Sequence, residues 1–199
     1  MNIHPPLKAV ILAAGSKSIT GDGLPVLLQD LAGKKVIDYV MANVRQLVRP
    51  EDTYLIVGYH QEALREHLGP AYIYVTQEEA RGTGDAVRRL APLLQEYDGD
   101  LLILYGDTPL FNPTSIRGLI NRHLLRKANL TLLTAVADRY YPYGRVIRDR
   151  DGRIMDIIEE AQASIQVKEI RELNVGAYVV SAREIWPALE ALQPSPQDG

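Results

Sequence analysis

Residues 7–15 read Leu7-Lys8-Ala9-Val10-Ile11-Leu12-Ala13-Ala14-Gly15, a mostly apolar run that ends in small residues. A short apolar run closed by a turn signal reads as a strand buried on both faces. It is too short to span a bilayer, and no basic segment and small-residue cleavage site mark it as a signal peptide. Outward from this strand, Val36 to Val48 places Val36, Ile37, Val40, Val44 and Leu47 at helical spacing. Tyr54 to Val57 is the next strand, and a helix runs from about Gln61 to Leu68, where Gly69-Pro70 stops it. Ala71 to Thr76, Thr83 to Tyr97, Leu101 to Tyr105 and Pro113 to about Lys127 continue as strand, helix, strand, helix. Such alternation predicts an α/β fold: doubly wound, with a mostly parallel central sheet and helices on both faces.

The second half changes character. Leu130 to Val136, Arg145 to Arg148, Arg153 to Ile158 and Asn174 to Val180 read as strands of a mixed sheet, with Asp149-Arg150-Asp151-Gly152 as a turn. A last helix runs from about Ala182 to Leu192, and residues 194–199 form a polar tail expected to fray. The 199 residues suffice for one sizeable domain. A net charge of -3 gives no footprint for nucleic acid or an anionic membrane. The absence of cysteine excludes a disulfide framework and thiolate chemistry, and is compatible with the cytoplasm.

In open α/β sheets, ligands sit beyond the carboxyl ends of the strands. The first such end, Leu12-Ala13-Ala14-Gly15, has small residues that let a ligand approach the backbone, although an ordinary turn would read the same. Gln77 follows the third strand and Gly82-Thr83-Gly84 opens the next helix. A glutamine amide sets a donor beside an acceptor, matching one edge of uracil or thymine. Thr83 is suited to cap that helix, whose start suits an anion or a carbonyl. The plainer alternative is an N-cap with a surface glutamine. Tyr105-Gly106-Asp107 ends a central strand in a carboxylate fit to hold Mg²⁺, or simply to cap a turn. Glu159 and Asn174 are of the types that read sugar hydroxyls, against a dull reading as exposed strand residues. Glu159 is followed by Glu160, so one of the two must point the other way.

Other chemistries lack support. The histidines His4, His60, His67 and His123 show no zinc-ligand spacing, and His60 and His67 read as surface residues flanking a short helix. No nucleophile elbow and no phosphate loop ending in Gly-Lys-Ser/Thr occurs. Arg117, Arg122, Arg126 and Lys127 read as a solvated helix face. Tyr140, Tyr141 and Tyr143 form a cluster that either lines a sugar pocket or packs as a loop on the sheet.

Taken in order, these segments resemble the N-terminal domain of the N-acetylglucosamine-1-phosphate uridylyltransferase family, within the sugar-phosphate nucleotidyltransferases. The matching pieces are Leu12-Ala13-Ala14-Gly15, Leu24-Pro25, Leu31-Ala32-Gly33-Lys34, Val57-Gly58, Gln77, Gly82-Thr83-Gly84-Asp85-Ala86-Val87, Leu104-Tyr105-Gly106-Asp107, Tyr143-Gly144-Arg145, Ile157-Ile158-Glu159 and Glu172-Leu173-Asn174-Val175-Gly176. They span nearly the whole chain. The resemblance implies one domain over 1–199, with a nucleotide-binding half at 1–128 and a sugar-binding half at 129–193. It implies that Leu12, Ala13, Ala14, Gly15, Gln77, Gly82, Thr83, Tyr105 and Gly106 hold the nucleotide. Gly144, Glu159 and Asn174 would hold the sugar, and Asp107 the Mg²⁺ of an active enzyme. The implied partners are a nucleoside triphosphate, UTP first, and a sugar-1-phosphate or nucleotide sugar. The implied reaction is attack of N-acetylglucosamine-1-phosphate on the α-phosphate of UTP with release of pyrophosphate. The implied location is the cytoplasm, and a homo-oligomer stays open.

The chain departs from the family at one loop. The family loop reads LAAGxGTRM, a short spacer, then LPKVL, whereas residues 12–28 read LAAGSKSITGDGLPVLL. Spacing is kept, but Lys17 replaces the glycine, Ser18 the threonine, Ile19 the arginine and Val26 the lysine. Both cations expected on the phosphates are absent. Ala161 stands where the family typically carries a lysine, and the family's second metal-holding residue, an asparagine, falls beyond Gly199. Two readings follow: a weakened relative that binds a nucleotide or sugar or acts as an assembly or regulatory module, or an active transferase with altered substrate or with Lys17 as substitute cation. A lysine there supplies a point charge, not a bidentate fork.

Overall fold

The computed structural model describes residues 6–15, 25–79 and 81–192. Strand β1 (Leu7–Ala13) lies between β4 (Thr53–Val57) and β6 (Asp100–Tyr105), parallel to both, and β5 (Ile73–Thr76) pairs parallel with β4. Helices α1 (Val36–Val44), α2 (Gln61–Leu68), α3 (Thr83–Arg88), α4 (Ala91–Leu94) and α5 (Pro113–Arg126) intervene along the chain. A two-stranded ribbon, β2 (Asp30–Leu31) with β3 (Lys34–Lys35), precedes α1 and turns through Ala32 and Gly33, both at positive φ.

The chain divides into two compact units. The first comprises the described residues of 1–131 and 178–199. Its strand order is β5-β4-β1-β6, with β10 (Glu172–Ser181) beside β6, and α7 (Ala182–Glu190) follows β10. Side chains alternate across a strand. Val10, Tyr54, Ile56, Leu101 and Ile103 therefore share one face and form a cluster with Val87, Leu90, Leu94, Trp186 and Leu189 from α3, α4, α7 and the turn before α4. The alternate positions Ala9, Ile11, Leu55, Leu102 and Leu104 are equally buried, so both faces of these strands are covered. This is why the strands read as continuous apolar runs.

The second unit, 132–177, holds most of β7 (Leu130–Val136), all of β8 (Arg145–Arg148) and β9 (Ile154–Ile158), the short α6 (Ile165–Lys168) and the first part of β10. Its sheet is antiparallel where β10 meets β8 and where β8 meets β9, and β7 also pairs with β10. The sheet as a whole is mixed and mostly parallel, as expected. One expected element differs. The helix anticipated over Thr83 to Tyr97 is two helices, because Pro92 has no N–H to continue the first and instead sits in the opening turn of α4.

Candidate functional site

The parallel strands of the first unit deliver their carboxyl ends to one cavity of about 310 Å³, within the usual size for a small-molecule site. Leu12, Ala13, Ala14, Gly15, Gln77, Gly82, Thr83, Tyr105 and Asp107 all line it. Gly106 is buried beside them, its N–H donating to the Leu12 carbonyl at 2.9 Å, and packs between Leu27 and Ile37. Lys17 and Ile19 lie outside the described residues. Val26 opens a single 3-10 turn whose flanking residues, Pro25 and Leu27, belong to the cavity wall. A second cavity, about 370 Å³ near Tyr97 and Trp186, contains none of the expected site residues.

Gln77 is not a surface residue. It is 4% exposed, and its backbone N–H extends the ladder to the Val57 carbonyl at 2.8 Å. Its side-chain nitrogen donates to Asp85 Oδ2 at 2.9 Å and to the Gly82 carbonyl at 3.3 Å. Asp85 also accepts from Arg88 at 2.8 Å and Arg89 at 3.4 Å. Burial pushes the Asp85 carboxyl up, but the hydrogen bonds from Gln77 and Arg88 and the two guanidinium charges outweigh it, so the carboxyl is held below its usual range. Thr83 does not cap α3. Gly82 is the N-cap, at a φ of 92° that favours glycine, and the Thr83 hydroxyl instead pairs with the Tyr105 hydroxyl at 3.0 Å.

Among the lining residues outside the expected set are two aromatic side chains. Tyr59 and His60 stand edge to face at the start of α2, their ring centroids 4.9 Å apart. The Nε2 of His60 is buried with no hydrogen-bond partner. The only signal available was position: both follow Val57-Gly58 at a strand end. His67 is the plainer of the two flanking histidines, its Nε2 2.8 Å from Asp38 Oδ1.

Asp107 is an exposed carboxylate on the cavity wall. Among the described residues no group of three or more histidines and acidic residues could hold a metal. A single carboxylate fits the way Mg²⁺ is held when substrate phosphates supply the other ligands.

In the second unit the structure brings Gly144, Glu159 and Asn174 together. The Asn174 N–H donates to the Gly144 carbonyl at 2.9 Å, and a Cβ built on Gly144 would lie 3.1 Å from Glu159 Oε1. Glu160 points elsewhere, to the Tyr140 hydroxyl and to Lys168 Nζ at 2.6 Å, so Lys168 supplies its countercharge. Arg145 is 1% exposed; its guanidinium reaches the carbonyls of Tyr143 and Lys168 and faces the Tyr140 ring at 5.4 Å. It ties the glycine turn to α6. Arg139 lies 5.2 Å over the Tyr141 ring, and the tyrosine cluster is therefore braced by arginines.

The chain as a whole has counterparts among known proteins. Residues 9–198 match the MobA-like NTP transferase domain. The chain belongs to that family. Among relatives of this NTP transferase domain, the bifunctional protein GlmU of Geobacillus thermodenitrificans is 38% identical over 181 residues, which is 91% of this chain and 39% of that protein. GlmU of Streptococcus gordonii is 34% identical over 191 residues, covering 96% and 41%. GlmU of Brevibacillus brevis is 36% identical over 183 residues, covering 92% and 40%. The chain thus spans roughly two-fifths of the length of these relatives. Two solved structures share the fold. A Bacillus anthracis protein assigned as a glucose-1-phosphate thymidylyltransferase, in complex with sucrose, aligns with TM-score 0.79 at 19% identity over 97% of this chain and 78% of its own. A UDP-glucose pyrophosphorylase in complex with UDP-glucose aligns with TM-score 0.77 at 13% identity, covering 96% and 81%. No helix among the described residues is long and apolar enough to cross a membrane.

Proposed function

We propose that this NTP transferase domain binds a uridine nucleotide in the first unit and a sugar-1-phosphate in the second, and that its transfer chemistry is weakened. The observation that carries the reading is the cavity wall: among the described lining residues there is no lysine or arginine. A triphosphate brings several negative charges, and transfer to its α-phosphorus needs cations where that charge builds up. Val26 stands beside the wall where the resembling family has lysine, and Ile19 replaces the family's arginine. The base would rest among Leu12, Ala13, Ala14, Gly15, Gln77, Gly82 and Thr83, and the sugar hydroxyls against Gly144, Glu159 and Asn174. In the ancestral reaction a phosphate oxygen of N-acetylglucosamine-1-phosphate bonds to the α-phosphorus of UTP while the bond to pyrophosphate breaks. Asp107 would hold Mg²⁺, which when bound neutralises phosphate charge. A cytoplasmic location suits both substrates.

The test measures pyrophosphate release from UTP and N-acetylglucosamine-1-phosphate with Mg²⁺, alongside calorimetry with UTP. Retained UTP binding with little or no turnover is expected. Rapid turnover by the unaltered chain would instead establish an active transferase, and would direct attention to Lys17 as the cation.

A further inference from the structure

Asp85 has no part in the proposed chemistry, yet it holds the one side-chain amide among the described residues of the cavity wall. Its side chain is only 7% exposed, and the charges of Arg88 and Arg89 keep it ionised. An ionised carboxylate accepts hydrogen bonds and cannot donate them. The end of the Gln77 amide facing Asp85 Oδ2 at 2.9 Å is therefore the nitrogen, on chemical grounds alone. The second proton of that nitrogen is directed to the Gly82 carbonyl at 3.3 Å. Both donors are engaged, so whatever the amide offers a ligand it offers through Oε1, an acceptor. The donor-plus-acceptor edge expected from the residue type is reduced to half of itself.

We infer that Asp85 is a positioning residue for base selection: it locks the Gln77 amide so that the cavity favours a base with a ring N–H, uracil or thymine, over cytosine. This rests on the reading that the cavity holds a nucleotide. A pyrimidine carries at N3 either a donor, in uracil and thymine, or an acceptor lone pair, in cytosine. Opposite a fixed Oε1 the first makes a hydrogen bond and the second meets repulsion between two acceptors. A free glutamine could turn its amide and accept either base. Asp85 forbids the turn, because it would set Oε1 against a carboxylate in a buried place. Selectivity thus comes from a built-in penalty on the wrong base as much as from a contact to the right one.

Equilibrium binding of UTP and of CTP to the whole chain, without sugar phosphate, tests this. The unaltered protein is expected to bind UTP at least about tenfold more tightly than CTP. Asp85→Asn can face Gln77 with a donor or an acceptor, which leaves only the 3.3 Å bond to the Gly82 carbonyl to oppose the turn, so the preference falls to about threefold or less. Gln77→Leu removes the amide while Asp85 keeps Arg88 and Arg89, and should erase the preference in the same way. If Asp85→Asn fails to fold by circular dichroism, Asp85→Ser, whose hydroxyl both donates and accepts, takes its place. Preference retained in a folded Asp85→Asn or in Gln77→Leu, or absent in the unaltered chain, overturns the role of Asp85 and leaves the nucleotide site standing. Binding of neither triphosphate overturns the nucleotide site, and this inference with it.

Discussion

On the proposed function, the cost of Val26 is a missing charge. A pair of unit charges about 4 Å apart is worth roughly 4 kcal/mol at an effective dielectric near 20, and a valine beside the cavity wall offers none of it. Restoring both cations, Ile19→Arg with Val26→Lys, is expected to raise pyrophosphate release from UTP and N-acetylglucosamine-1-phosphate by about 10²-fold or more. A rate that does not move would acquit the loop. At Gly144 the deciding quantity is space. Gly144→Ala sets a methyl 3.1 Å from Glu159 Oε1, so the carboxylate must yield. Sugar-1-phosphate affinity should fall by about tenfold while UTP affinity stays the same, read by calorimetry with each ligand. Asp85 sets a pH dependence. Its folded carboxyl lies below its unfolded range, so its contribution to stability is fully present above that unfolded range and is lost as pH falls through the folded value. Denaturant melts of Asp85→Asn should therefore differ most from the unaltered chain near neutrality and converge with it in acid. At this scale the sequence was readable in residue type and not in partnership. Nothing local to Gln77 says that its amide nitrogen is taken by a carboxylate eight residues on. Nor does the position of His60 say that its Nε2 is buried.

Elements were far more legible, because period and punctuation are local properties. The apolar runs at β1, β4 and β6 and the helical spacing in α1 needed no tertiary information. Pro113 at the first position of α5 marked that start, and the structure adds a cap: the Asn112 side chain accepts from the Thr114 N–H at 2.8 Å. Asn112→Ala is expected to cost about 1 kcal/mol in urea melts. What stayed hidden were elements too short for a period. The β2–β3 ribbon has two residues per strand, and α6 has four. The break between α3 and α4 was written in Pro92, and the apolar pattern running on through Leu90, Leu93 and Leu94 masked it.

For the molecule as a whole, the first unit is discontinuous: it begins at the amino end, yields to the second unit over 132–177 and resumes at 178. No reading of neighbouring residues reveals such an excursion, since it depends on which strand β10 lies beside. Its energetic stake can be measured. Leu189 on α7 belongs to the same cluster as Val10 and Leu101. Leu189→Ala should destabilise the chain by about 2–4 kcal/mol, seen as a lower midpoint in thermal or urea unfolding. Trp186 is the sole tryptophan of the chain, 5% exposed, and its indole N–H donates to the carbonyl of Leu94, 92 residues earlier.

That last bond has a kinetic meaning. A ribosome releases the early strands long before it makes the helix that shields one side of them, so the nascent chain must wait with a greasy flank uncovered. Indole emission should register the late arrival of that shield, and its blue shift in stopped-flow refolding should trail the first gain of circular dichroism.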